Sequence, residues 1–509
     1  MAGKVKIKSS DPTLFPIEEI DEKEKWILSN FSASGFCPDD ERRKLENKYA
    51  PIMCVTDKFN RQSVSYQLSK KDSIHRWLKY REGFSAELVR ILLNEFEIKP
   101  GDWVVDPFMG SGTTALAACM LGINSIGWDI LPMSKLSIDA KTALYKYDLT
   151  ELRNVIRMVE DIKVPPKYKK RTPEISITSE GYPDQTAIDL AYYADFFEKT
   201  DLSPIAKNLV KLCTLNTLES ISYSIKSGQY LSWDQRCPRI IKANELRISQ
   251  GRRPFVNKID KGNLPTLKEA LLVELSHVFE DISSLQQLGT HFEAECVYNE
   301  GSVLFEISKV KSNSIDAVIT SPPYCNRYDY TRTYALELAY LGKSTSDVTA
   351  LRQELLSCTV ESKTKLERLE DHYSKIGRLK DFNKVISIIE GNPALNESIS
   401  ALKMRAENGE VNNKGIIRMV EGYFTELTFL YAELYRIAKK GAHIAFVNDN
   451  VRYAGEVIPV DFLCTELAET IGFKPVSVYS LKQQKGNSSQ QMAKYGRVAL
   501  RKSITVWEK

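Results

Sequence analysis

The chain has 509 residues, 43% hydrophobic and 27% charged, with a formal net charge of +4; it is long enough for two or three lobes and ordinary for a globular protein. No run of about 18 apolar residues occurs, which excludes a membrane-spanning helix, and the lysines of MAGKVKIKSSDP lack the apolar stretch that an ordinary secretory signal needs. Nine cysteines without a CxxC spacing argue against a disulfide framework and a zinc site and suit a reducing cytoplasm, while so small a net charge leaves nucleic-acid binding to local basic clusters.

Residues 1–70 mix polar, charged and aromatic side chains without sustained period and are read as an N-terminal extension with short helices. DSIHRWLKYREGFSAELVRILLNEF then sets Leu88, Ile91, Leu92 and Phe96 at helical spacing with Ser85 as N-cap. Phe84 follows Gly83 at a turn, where a packed staple or core residue is the ordinary role. In GDWVVDPFMGSGTTALAACMLGINSIGWDI a short buried strand at 103–105 ends at Asp106, and Gly110-Ser111-Gly112 turn into a helix from about Thr113. Gly122 stops that helix, and a second strand at 125–128 ends at Asp129. Strand, glycine loop, helix, strand and carboxylate open a doubly wound, nucleotide-type fold. The glycines let backbone approach a ligand, the helix start offers unsatisfied donors, and Asp129 stands where such folds accept from two ribose hydroxyls. The loop is neither GxGxxG nor followed by a Walker lysine, which favours a nucleoside with a charged tail over a bound phosphate; Asp106 is placed to accept from a ligand's ammonium.

The stretch 143–293 is mostly helical in texture. Within it Arg236, Arg239, Lys242, Arg247, Arg252, Arg253, Lys258 and Lys261 stand against Glu245 and Asp260, with Trp233 and Phe255 interleaved. Phosphate neutralisation needs such clustering; a solvated charged loop is the plain alternative. A third strand is expected at 295–298. DAVITSPPY then reads as a short buried strand that two prolines forbid from continuing. The turn presents the Ser321 hydroxyl and the Pro322 carbonyl outward beside the Tyr324 ring, an acceptor-rich pocket suited to a planar group carrying an amine; the alternative is a Pro-Pro turn with a packed tyrosine. Arg327, Tyr328, Tyr330 and Arg332 follow, to hold an opened strand or to cap the next helix. Residues 343–415 read as a charged helical insertion forming a second lobe. A long helix, the strand GAHIAFVND, the helix VDFLCTELAETIGF and the strands VSVYSL and 503–507 complete an α/β fold. Its mixed sheet is expected to have about seven strands with an antiparallel hairpin at one edge. Lys482, Lys485, Lys494, Arg497 and Arg501 either line a DNA side or are plain surface.

DPFMGSGTT resembles the cofactor motif, and TSPPY the catalytic motif, of the amino-methyltransferases that methylate exocyclic nitrogens of DNA bases with S-adenosylmethionine. HRWLKYREGFS resembles the segment that closes over the methionine end of that cofactor, with further similarity in YNEGSVLFEI, GAHIAFVNDN and RKSITVWEK; about half the chain is covered. The resemblance implies a Rossmann-like S-adenosylmethionine-dependent fold with large helical insertions. It implies a cofactor site of Phe84, Asp106, Pro107, Phe108, Gly110, Ser111, Gly112, Thr113, Asp129, Ile130 and Glu300, the last standing where the family usually has Gly-Asp. Catalysis falls to Ser321, Pro322, Pro323 and Tyr324, with no metal, and DNA contacts to Arg236, Arg239, Arg247, Arg252, Arg253, Lys258, Arg327 and Tyr328. The core is expected at 71–142, 294–342 and 416–509, with 143–293 reading the target and 343–415 as the other candidate for that task. Ser-Pro-Pro-Tyr is associated in the family mostly with cytosine N4 and Asp-Pro-Pro-Tyr mostly with adenine N6. The implied partners are double-stranded DNA with an extruded base and a cognate restriction endonuclease, in a prokaryotic cytoplasm. The rivals are N6-adenine methylation, RNA methylation, and a catalytically silent DNA-binding specificity protein.

Overall fold

Period-two alternation in buried strands decides the layering of the molecule. In the computed structural model, which describes residues 26–28, 30–56, 58–59, 62–65, 67–227, 230–255, 259–289, 294–482 and 489–509, eight strands form one sheet. They are β1 Met53–Thr56, β2 Trp103–Asp106, β3 Asn124–Asp129, β4 Cys296–Glu300, β5 Ile315–Thr320, β6 Ala438–Asp449, β7 Lys474–Leu481 and β8 Lys502–Glu508. The spatial order is β1-β7-β8-β6-β5-β2-β3-β4, and all pairs are parallel except those of β8 with β6 and β7. Val104, Ala317, Ile319, Ala445 and Val447 face one side, where they pack against Leu88, Val89 and Leu92 of the helix Ala86–Glu95. Val105, Val318, Ile444 and Phe446 face the other, beneath the helices Gly415–Ile437 and Val460–Ile471. A sheet covered on both faces accounts for the continuous apolar runs of its central strands.

The α/β expectation holds, with one strand more than expected. The added strand is β1, in the stretch read as irregular extension: it is four residues long and takes an edge place beside β7, too short to show a period. The antiparallel pair expected at an edge lies inside the sheet, because β8 inserts between β6 and β7. Ser85 caps its helix as expected, accepting from the Leu88 backbone N–H. Among the described residues no helix is long and apolar enough to cross a membrane.

The two insertions pack differently. Helices Leu149–Asp161, Pro204–Ile221 and Leu267–Gln287 build a second core that includes Tyr80, Tyr330 and Tyr334. The segment 343–415 forms no separate lobe: Leu369, Tyr373, Phe382, Val385 and Leu402 join the same core as Val318 and Phe446. Its helices have apolar faces, and the helix Gly415–Ile437 offers the surface that covers them.

Arg501, expected on the DNA side or the surface, is fully buried. Its guanidinium bonds Glu46 at 2.5 and 3.0 Å, Asp461 at 2.8 and 3.2 Å and the Trp26 carbonyl at 2.7 Å, tying the stretch before β1 to the end of the sheet. Charges removed from water demand such complete pairing. Lys494 pairs with Glu410, and Lys482 and Arg497 are exposed, whereas Lys485 and Lys258 lie outside the described residues. Replacing Arg501 by Met leaves two buried carboxylates uncompensated. The expected cost is about 3–5 kcal/mol of folding stability in urea unfolding, against less than about 1 kcal/mol for the exposed Arg497→Met.

Candidate active site

In sheets of this kind ligands bind beyond the carboxyl ends of the strands, where the strand order reverses. That point lies between β2 and β5: from β2 the chain builds outward through β3 and β4, and from β5 the other way through β6. The last residues of the two strands are Asp106 and Thr320, and the Thr320 hydroxyl donates to Asp106 Oδ1 at 2.6 Å. The same oxygen accepts from the Phe108 backbone N–H at 3.1 Å, and the Thr114 hydroxyl donates to the Ile319 carbonyl at 3.1 Å. The cofactor-type loop and the Pro-Pro corner are thereby bolted together. Asp106 is buried, and burial pushes its carboxyl up to about 6. It stands in the seam between the two strands, with the Thr320 and Phe108 bonds both on Oδ1.

The glycine loop needs its glycines. Gly110 has φ +52° and its N–H donates to Asp129 Oδ2 at 2.8 Å; a Cβ there would stand 2.9 Å from Tyr80 Cε1. Gly112 has φ +84°, and its Cβ would stand 2.7 Å from Ile138 Cγ1. Ordinary residues fail at both places on conformation and on space. Between them the Ser111 carbonyl accepts from Lys141 Nζ at 2.9 Å and the Ser137 hydroxyl at 3.2 Å. Lys141 is fully buried, and burial pushes its ammonium down to about 7. Asp129, at the end of β3, also accepts from the Leu131 N–H at 2.8 Å, and burial raises its carboxyl to about 6.

These elements surround a cleft of about 750 Å³, counting the space open to solvent. Of the expected cofactor residues, Phe84, Pro107, Phe108, Gly110, Ser111, Thr113, Asp129 and Ile130 line it, and so do Ser321 and Pro323 of the Pro-Pro corner. Gly112 lies behind the lining at the helix start. Glu300 is exposed beside Asp129 in the β3–β4 register, and the wall there is made by Gly301 and Ser302. The sequence reading missed Tyr80, Glu82, Met109, Leu131, Leu355 and Leu356, and Tyr330, read as holding an opened strand or capping a helix, also lines the cleft. Tyr80 and Glu82 belong to the quoted HRWLKYREGFS, so their region was visible; Tyr80 stacks on Tyr334 with centroids 5.2 Å apart. Leu355 and Leu356 come from the 343–415 insertion, where nothing in the sequence marks them.

At the corner the Ser321 hydroxyl lies 2.9 Å from the Tyr324 hydroxyl and 3.3 Å from the Val447 carbonyl. Tyr324 is buried, with the Lys502 ammonium 5.1 Å from its ring centroid. The Tyr453 hydroxyl donates to the Cys325 carbonyl at 2.5 Å and pins the turn. Arg327 adopts φ +68°, and its Nε is buried without a hydrogen-bond partner among the described residues. Tyr328, expected to face an opened strand, is instead buried edge-on to Tyr330, with centroids 4.9 Å apart.

The basic segment forms the helix Pro238–Ser249, which buries none of its residues. Arg236 is held by Asp234 at 2.8 and 2.9 Å, and Arg239 donates to the Ser176 and Ile177 carbonyls, so both brace the base of the arm. Arg247 donates to the Arg253 carbonyl and covers the Phe255 ring at 4.1 Å. Arg252 and Arg253 are exposed.

Comparison with known proteins agrees with this geometry. A family model described as DNA methylase, for N6 and N4 methyltransferases, matches residues 46–135. The Type II methyltransferase M.BsoBI of Geobacillus stearothermophilus is 52% identical over 484 residues, 95% of either chain. The Type II methyltransferase M.AvaI of Anabaena variabilis is 35% identical over 476 residues, 92% of this chain and 93% of that one. With two motifs joined at one strand-order reversal and relatives matched along nearly their whole length, the chain belongs to the DNA amino-methyltransferase family.

Proposed function

We propose that the protein is a Type II DNA methyltransferase that transfers a methyl group from S-adenosylmethionine to the exocyclic N4 of a cytosine extruded from duplex DNA. The observation that carries this reading is that the glycine loop and Ser321 open into one cleft while Thr320 and Asp106 lock the two segments together. The cleft suits the donor in chemistry. Its walls include the apolar Phe84, Phe108, Ile130 and Leu304, its polar groups are few, and Asp129 keeps acceptor capacity for ribose hydroxyls beyond its two backbone bonds.

S-adenosylmethionine supplies an electrophilic methyl when bound; the rest falls to the protein. An exocyclic amine is a poor nucleophile because its lone pair is delocalised into the ring. The Ser321 hydroxyl oxygen and the Pro322 carbonyl accept its two N–H bonds and draw the nitrogen toward tetrahedral geometry. The loop and the corner, fixed to each other, hold donor and acceptor in line, which is the larger share of the rate. A neutral serine at this place, in contrast to an aspartate, supports cytosine as the base.

The exposed arm at Pro238–Ser249 is the reading's DNA-recognition element. Ile241, Leu246, Ile248 and Phe255 are 46–60% exposed on it beside Arg252 and Arg253, a combination suited to base edges and phosphates. Arg327, strained and with its Nε unbonded, is assigned to the backbone of the opened strand. The Type II names of the relatives support a restriction–modification context, with a cognate endonuclease as partner in a prokaryotic cytoplasm.

Modification-sensitive sequencing of DNA from a methylation-free host expressing the chain is expected to find N4-methylcytosine at one short site; N6-methyladenine would replace the base assignment. Ser321→Ala is expected to lower kcat by roughly 100-fold while donor binding stays within about twofold. Arg252→Ala and Arg253→Ala should each weaken DNA binding evenly across sequences and reduce the salt slope by about 1. Donor affinity follows the Asp129 carboxylate. Ionised above about 6, it accepts the ribose hydroxyls; below that pH it is protonated, and affinity falls by up to tenfold per unit. Calorimetric titration between pH 5 and 8 reads this, and Asp129→Asn is expected to flatten the profile.

A further inference from the structure

A serine hydroxyl both donates and accepts, and the proposed chemistry needs Ser321 to accept from the amine. Its own proton must therefore be directed elsewhere. Two oxygens stand in reach, the Tyr324 hydroxyl at 2.9 Å and the Val447 carbonyl at 3.3 Å. The carbonyl is an acceptor only. The phenol is not: turned around, its O–H would donate to Ser321, take one of the two lone pairs on that oxygen and compete there with the amine. A group that holds the phenol as an acceptor keeps both lone pairs open to the amine.

Lys502 is built for this. It is the first residue of β8 and stands opposite Asp449, the last of β6, in the strand register. Only an antiparallel strand brings its amino end to the edge where the others end, so β8 alone can deliver such a residue here. The Lys502 ammonium lies 5.1 Å from the Tyr324 ring centroid and 3.7 Å from Asp449 Oδ1. An ammonium has three N–H donors and no acceptor. Whatever faces it must present an oxygen lone pair, and a phenolic O–H turned that way is repelled.

We infer that Lys502, steadied by Asp449, is a positioning residue that keeps the Tyr324 hydroxyl as an acceptor of the Ser321 proton, leaving the Ser321 lone pairs to the target amine. The inference rests on the reading of Ser321 as amine acceptor. Its near neighbours agree with it: the Lys502 charge opposes the upward push of burial on the Tyr324 phenol, and Asp449 and the phenol raise the Lys502 ammonium, so the lysine stays charged.

The test is a double-mutant cycle on the full-length protein with cognate duplex. Lys502→Met is expected to lower kcat roughly 10- to 100-fold. Binding of S-adenosylhomocysteine, KM for DNA and the 2-aminopurine fluorescence that reports base extrusion should stay within about twofold, and Lys502→Arg, which keeps a donor-only cation, should restore most of the rate. In a Tyr324→Phe background, which lacks the hydroxyl, Lys502→Met is expected to add almost nothing. An unchanged kcat in Lys502→Met, a full penalty persisting in the Tyr324→Phe background, or a matching loss of S-adenosylhomocysteine binding would each overturn the role. Full activity of Ser321→Ala would sink the acceptor reading beneath it, and is told apart because it leaves the Lys502 variants' own effect standing. Should Lys502→Met fail to fold, Lys502→Gln takes its place in the same cycle.

Discussion

One hydrogen bond, from the Thr320 hydroxyl to the Asp106 carboxylate, carries the architecture. It joins residues 214 positions apart, both buried, at the place where the strand order reverses. A carboxylate removed from water there is tolerated because it is bonded, by the Thr320 hydroxyl and by the Phe108 N–H. The bond makes two loops into one rigid frame. A methyl can pass only between groups whose separation does not drift, and a frame of two strand ends bonded side to side meets that need better than two independent loops.

How far the site was legible follows from how local each signal is. DPFMGSGTT and TSPPY announce themselves because glycine and proline change the backbone wherever they stand, and eight of the 24 residues lining the cleft come from those runs. β1 escaped because four residues at an edge carry no measurable period. Arg501 was misread because its burial is decided by Glu46 and Asp461, 455 and 40 residues away, and no local feature separates it from Arg497. The place of Asp106 at a strand end is visible in sequence, whereas its bond to Thr320 is a property of the closed sheet. Leu355 and Leu356 reach the cleft from an insertion whose position follows from packing alone.

The molecule divides its work between a buried frame and an exposed arm. The frame holds its strand ends with buried, hydrogen-bonded side chains such as Asp106, Thr320 and Thr114. The helix Pro238–Ser249 has the opposite character: none of its residues is buried, and it is held by Asp234 with Arg236 and Lys261, by Arg239 on the Ser176 and Ile177 carbonyls and by Lys242 on Glu180. Substitution in the arm therefore disturbs no core.

The insertion of β8 between β6 and β7 has a consequence for biosynthesis. Among the strands of the sheet it is the last to leave the ribosome, yet it fills an interior place, so until it arrives β6 and β7 have no common neighbour and both keep open edges. A nascent chain stalled before residue 502 would hold the donor loop and the Pro-Pro corner but neither the closed sheet nor Lys502. Truncated translation products would then be inert and prone to association rather than weakly active. For an enzyme whose product marks a genome, competence that switches on only with the final strand keeps partial marking from unfinished copies to a minimum.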